Sequence, residues 1–216
     1  MSIINNRPPS KHVRLRRLAI TLSKLDLNEN PDSSLEQYFT PGEIASRWLS
    51  DIRAFGDISP GCRIADLGAG NGILGIGAAI MGAGFVTFID VDQEMCKLIA
   101  KNSESTLQAG SYEIMNIEIG KEAPDLSNID LVISNPPWGR QTEGADSHFL
   151  DLISTLGVTA HLMHSSDAQH IKNRFENMGW NVEKYGEADF PIPASYAHHK
   201  KTRGSTRAGF WRLSPP

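Results

Sequence analysis

From Gly61 onward, short apolar runs alternate with amphipathic stretches, and this alternation restricts the fold more than any other feature of the chain. Strands are expected at 63–67, 85–91, 112–117, 129–134 and 158–163, and helices at 73–81, 93–108, 146–156 and 168–178. The runs 180–188 and 206–213 then follow without a helix between them. Parallel neighbours need a helical crossover and antiparallel neighbours do not. The pattern therefore predicts an α/β fold: a seven-stranded, mostly parallel sheet with an antiparallel last strand and helices on both faces. Ahead of it, Val13, Leu15, Leu18, Leu22 and Leu25 mark a basic amphipathic helix over 11–27, ended by the turn at 28–31. Ile44, Ala45, Trp48, Leu49 and Ile52 mark a second helix after Pro41. A length of 216 residues suits one domain, with a flexible tail at 1–10, amino-terminal helices in 11–60 and the core in 61–216.

Composition removes several function classes. Hydrophobic residues are 40% of the chain, no apolar run approaches 18 residues, and no charged-then-apolar leader opens it. A soluble, cytoplasmic protein with no membrane contact is expected. Cys62 and Cys96 form no CxxC pair, and none of the seven histidines, His161, His164, His198 and His199 among them, has a recognised ligand spacing, so no metal site is expected. The net charge of -4 hides a strong asymmetry. Eleven of the 21 Lys and Arg lie in 1–24 and 197–216, where no carboxylate stands, leaving ten against all 25 acids between. Clustered cations at both ends point to a polyanionic partner.

Asp66-Leu67-Gly68-Ala69-Gly70-Asn71-Gly72 places three glycines at the carboxyl end of the first strand, where an open α/β sheet binds its ligand. The stretch Gly70 to Gly75 also reads GxGxxG, with Asp90 about twenty residues on, as in dinucleotide sites. Here, however, Asp66 and Gly68 precede that motif and would set a carboxylate beside the cofactor. This arrangement is similar to the first motif of S-adenosylmethionine-dependent methyltransferases. Asp90 then suits the ribose hydroxyls, since one carboxylate can accept from both.

Asn135-Pro136-Pro137-Trp138 ends the fourth expected strand, in the same crevice. Proline fixes φ and restricts its predecessor, so Asn135 should be held extended. The Asn135 side-chain carbonyl and the Pro136 backbone carbonyl could accept the two hydrogens of an exocyclic amine, with Pro137 stiffening the loop and Trp138 stacking on a planar base. Such an amine is a weak nucleophile because its lone pair is delocalised. Accepting its hydrogens and aligning it with a sulfonium methyl supplies activation by position.

DLGAGNGILGIGAAIMGAG, FIDVD, LVISNPPWG and PASYAHHKK, together with Leu35 to Thr40, resemble the methyltransferase-like protein 5 family over about 13–213. The resemblance implies a Rossmann-like fold, S-adenosyl-L-methionine as cofactor, and methylation of adenine N6 in small-subunit ribosomal RNA. It implies that Gln37, Tyr38 and Thr40 border the cofactor, that Gly68, Gly70 and Gly72 line its methionine end, and that Asp90 and Val91 hold the ribose. Asn116 replaces the family's usual aspartate at the cofactor adenine, and Trp138 replaces a more frequent phenylalanine. His198, His199, Lys200, Lys201 and Arg203 are implied in RNA binding, the cations on phosphates. A small zinc-binding activator subunit is implied as partner, with 112–117 as the expected docking edge. The NPPW motif alone also admits a protein glutamine-N5 or an RNA guanine-N2 methyltransferase. A nucleotide-binding, RNA-associated module without catalysis is the alternative from another class.

Overall fold

The computed structural model describes residues 11–28, 38–139, 142–192 and 204–216. Its elements are α1 (Lys11–Leu22), α2 (Gly42–Phe55), β1 (Arg63–Leu67), α3 (Ile73–Ile80), β2 (Phe85–Asp90), α4 (Gln93–Glu104), β3 (Tyr112–Asn116), β4 (Leu131–Ser134), α5 (Ser147–Leu156), β5 (Thr159–Ser165), α6 (Gln169–Asn177), β6 (Asn181–Ile192) and β7 (Gly204–Ser214). The strands form one seven-stranded sheet in the order β3-β2-β1-β4-β5-β7-β6. Strand β7 runs antiparallel to both β5 and β6, while the pairs among β1 to β5 are parallel.

Both faces are covered, because strands buried on two sides need helices on two sides. On one face Leu22, Trp48, Leu49, Ile76 and Ile99, from α1 to α4, pack against Ile64, Phe88 and Ile133. On the other, Leu150, Ile153, Ile171 and Phe175, from α5 and α6, pack against Leu67, Val132 and Leu162. A buried polar chain ties α2 to the far strands. Trp48 Nε1 donates to Tyr185 Oη at 2.6 Å, His161 bridges Tyr185 and Asp57 at 2.8 Å each, and Arg212 holds Asp57 at 2.7 Å. Burial lowers the His161 pKa despite Asp57. Burial alone would raise Asp57, but the bonds from His161 and Arg212 bring it well below the usual carboxylate range.

Helix α1 stops at Leu22 rather than continuing to 27. Buried Asn102 of α4 accepts from Asp26 N at 2.9 Å and donates to Asp26 O at 3.1 Å and Asn71 O at 3.0 Å. These bonds pull the chain off the helical path and fasten it to the glycine turn. The start of α2 then crosses the end of α1 so closely that a Cβ on Gly42 would lie 2.3 Å from Ser23 Oγ.

Chain order reverses between β1 and β4: β1 leads outward to β2 and β3, whereas β4 and β5 lie on its other side. That switch point is where open α/β sheets bind ligands. Leu67 and Ser134, the last residues of the two strands, stand opposite each other, and Ser134 Oγ donates to Leu67 O at 2.7 Å. The loops after β1 and β4 therefore leave side by side. The β6–β7 ladder runs past the end of β5, from Asp189↔Arg207 to Ile192↔Gly204, and its open end lies on the same side of the sheet.

Candidate active site

A cavity of about 440 Å³ opens at the switch point. Its floor is Gly68 and Gly70 after β1 with Asp90 and Val91 at the end of β2; Asn135 and Pro137 after β4 form one wall. Ile117, Glu118 and Ile119 after β3 form another, and Tyr38, Phe39, His148 and Phe149 close over it.

The floor is nearly bare backbone. Gly70 has φ +56°, a left-handed conformation that side chains rarely adopt, and a Cβ there would meet no atom within 4 Å. A ligand can thus approach the main chain directly. Asp90 is the acidic group of this floor: Oδ2 accepts from Gly70 N at 2.8 Å and Oδ1 from Asp92 N at 3.0 Å. Each oxygen keeps a lone pair for a hydroxyl donor. Burial raises the Asp90 pKa, and the backbone donors only partly offset it.

The wall is built from clamped side chains. Asn135 Nδ2 donates to Thr40 Oγ1 at 3.3 Å, and Asn135 Oδ1 accepts from Trp138 Nε1 at 3.0 Å. The Trp138 ring stacks on His164 with centroids 5.8 Å apart and leans on Phe190 at 5.4 Å. Behind it, Ser165 N donates to His164 Nδ1 at 2.8 Å, which puts the proton of the neutral ring on Nε2, 3.3 Å from Asp146 Oδ2. His170 Nε2 meets the same oxygen at 2.7 Å. Burial raises the Asp146 pKa, but the two histidines outweigh it and bring the carboxyl to about 2. The ligand-type atoms of Asp146, His164 and His170 lie within 4.8 Å of one another. Of the two histidines, His170 hydrogen-bonds that carboxylate, while His164 Nε2 has no hydrogen-bond partner among the described residues.

Of the residues singled out in the sequence, the cavity brings together Tyr38, Gly68, Gly70, Asp90, Val91, Asn135 and Pro137. The others among the described residues lie apart from that lining. Asp66 is fully buried, Oδ2 accepts from Gly75 N at 2.8 Å, and burial pushes its pKa up to about 8. Gly72, with φ +83°, caps α3 and faces Ile76 and Ile99 rather than the cavity. Asn116 turns its amide nitrogen onto Asp90 O at 3.0 Å and Val91 O at 2.8 Å, bracing the end of β2 from outside the cavity. Pro136 is buried beneath the loop, and Trp138 lies against His164 instead of lining the wall. Buried Thr40 acts on Asn135. Gln37, His198, His199, Lys200, Lys201 and Arg203 lie outside the described residues.

Phe39, Glu118, His148 and Phe149 are wall residues that sequence reasoning missed. Residues 117–119 could have been found, since they follow directly on an expected strand whose end meets the switch point. His148 and Phe149 carry no such signal; they depend on how the loop after Gly139 brings α5 back over the glycine turn, where Phe149 lies 3.1 Å from the place of a Gly68 Cβ.

The family model described as Conserved hypothetical protein 95 matches residues 51–191. The chain is 30% identical to the rRNA N(6)-adenosine-methyltransferase METTL5 of Danio rerio over 212 residues, covering 94% of this chain and 100% of that one. It is 26% identical to the rRNA N(6)-adenosine-methyltransferase Mettl5 of Drosophila melanogaster, covering 93% and 96%. Among solved structures, PH1948 of Pyrococcus horikoshii, a provisionally assigned RNA methyltransferase, superposes with a TM-score of 0.82 at 31% identity, covering 94% of this chain and 98% of that one. The glycine floor, the Asp90 carboxylate and the clamped Asn135 thus stand in a chain that belongs to the methyltransferase-like protein 5 family of S-adenosylmethionine-dependent methyltransferases.

Proposed function

We propose that this chain, as one methyltransferase domain over 1–216, transfers the methyl group of S-adenosyl-L-methionine to N6 of an adenine in small-subunit ribosomal RNA. The observation that carries the reading is the Asn135 carboxamide, held at both ends on the wall of a cavity whose floor is the glycine turn. In this reading Asp90 takes the ribose hydroxyls and Gly68 and Gly70 admit the methionine end. Asn135 Oδ1 accepts one hydrogen of the target amine. The nitrogen lone pair attacks the sulfonium methyl, the carbon–sulfur bond breaks to leave the neutral thioether, and the proton shed by the methylated nitrogen passes to solvent. Proximity and a fixed acceptor lower the barrier without a strong base.

The RNA substrate is supported by the names of the full-length relatives and by the basic character of the sequence between Ile192 and Gly204, which carries Lys200, Lys201 and Arg203. A ribosomal substrate fits a cytoplasmic location. Strand β3 is one of the two outer strands of the sheet, with β2 its only strand partner among the described residues, and such an edge can pair with another chain. We assign a small zinc-binding activator subunit to that edge.

The test is incubation with labelled S-adenosylmethionine and small-subunit RNA, followed by nucleoside mass spectrometry. N6-methyladenosine is the expected product. Label in N2-methylguanosine, or in release factor protein alone, would replace this reading with guanine-N2 or glutamine-N5 transfer. Lys200→Glu with Lys201→Glu should weaken RNA binding and flatten its salt dependence, because each phosphate contact adds about one unit to that slope.

A further inference from the structure

Resting on the reading of Asn135 as amine acceptor, we propose that Trp138 is a positioning residue. Its indole N–H decides which end of the Asn135 carboxamide is offered to the target amine. The two ends have nearly the same shape and opposite chemistry: the oxygen accepts and the nitrogen donates. An amine seeking acceptors can use only the first. Thr40 does not choose between them, because a hydroxyl donates or accepts equally well across the 3.3 Å contact to Asn135 Nδ2. Indole nitrogen can only donate, so its 3.0 Å contact requires oxygen at that position. A turned-over carboxamide would set N–H against N–H and leave a donor without an acceptor. One lone pair of Oδ1 is taken by the indole and the other stays available.

The donor is itself held in place. His164 stacks on the indole at 5.8 Å with the rings inclined by 24°, and Phe190 supports it at 5.4 Å. The His164 ring is fixed in turn by Ser165 N, which donates to Nδ1 at 2.8 Å. The family's more frequent phenylalanine could fill the same space but could not make this choice, so in this chain the tryptophan adds a chemical function to a packing one.

The test is Trp138→Phe, which keeps the ring packing and removes the donor. We expect kcat to fall about tenfold, the loss typical of a hydrogen bond whose partner group is left misoriented, with KM for S-adenosylmethionine unchanged. Asn135→Asp offers oxygen whichever way it turns, so adding Trp138→Phe to that variant should change kcat by less than about twofold. A purely structural role would cost the same in both backgrounds. Independently of turnover, the indole proton resonance that disappears in Trp138→Phe should shift upfield in Asn135→Ala as its acceptor is lost. If Asn135→Asp has no measurable turnover, this resonance decides. A Trp138→Phe enzyme within twofold of wild type, or an indole resonance indifferent to Asn135→Ala, overturns the positioning role. An active Asn135→Ala enzyme overturns instead the acceptor reading on which it rests.

Discussion

The two loops that meet at the switch point solve opposite problems. After β1 the chain withdraws its side chains: Gly68 and Gly70 expose backbone, Gly70 has open space where a Cβ would be, and Asp90 is the acid on the floor beside them. After β4 the chain does the reverse, stiffening two prolines and clamping Asn135 between Thr40 and Trp138. The first loop suits a ligand recognised by shape and by hydroxyl donors. The second suits a reacting group whose protons must be met at fixed points. A cofactor loop tolerates any arrangement that leaves room, whereas an acceptor loop tolerates only one orientation of one amide.

Breaking the acceptor side should have the largest effect. Asn135→Ala is expected to lower kcat about 10²- to 10³-fold, the usual cost of removing one preorganised polar group, while the dissociation constant for S-adenosylmethionine stays within about twofold by calorimetry. Breaking the cofactor side should instead appear in binding. Asp90→Ala should weaken S-adenosylmethionine about 10- to 100-fold, from the loss of charge-assisted bonds to two hydroxyls.

Acidity separates the loops further. Burial raises the Asp90 pKa, and the ionised form is the one able to accept from both hydroxyls. Cofactor affinity should therefore decline as pH falls, beginning above the ordinary carboxylate range, and this dependence should vanish in Asp90→Asn. The smallest effect on the site is expected at Asp66, whose pKa burial pushes up to about 8. Asp66→Asn should change cofactor affinity by less than about twofold. Because the folded state keeps a proton that the unfolded chain has lost, wild-type stability falls as pH rises from the ordinary aspartate value of 3.8 towards about 8 through this group. Asp66→Asn should lack that decline, so its thermal midpoint relative to wild type should rise between pH 4 and pH 8. Equal slopes for the two proteins would mean that Asp66 is ionised in the fold.

Much of this architecture was readable in advance, and for particular reasons. Strand β1 runs over 63–67 as expected because an apolar run closed by glycine has one extended reading. The antiparallel finish followed from the missing helix between 180–188 and 206–213. Less readable were ends set by distant partners. Helix α1 stops early because Asn102, 76 residues away from Asp26, captures the backbone that would have continued it. The strands β6 and β7 extend beyond 188 and begin before 206 because each supplies the other's backbone partners.

The amino-acid order alone determined the alternation of elements, the crevice where their loops meet, and the glycine, carboxylate and carboxamide types that stand around it. Those depend on local periodicity and on the chemistry of glycine, proline and carboxylate, which act over a few residues. Tertiary structure decided which of two acids faces the cavity, that Asn116 braces β2 from outside, and that Trp138 turns its N–H to Asn135 while its ring rests on His164. The reason is physical: a side chain's direction is settled by which buried donors and acceptors would otherwise be left without partners, and those come from strands and helices far along the chain.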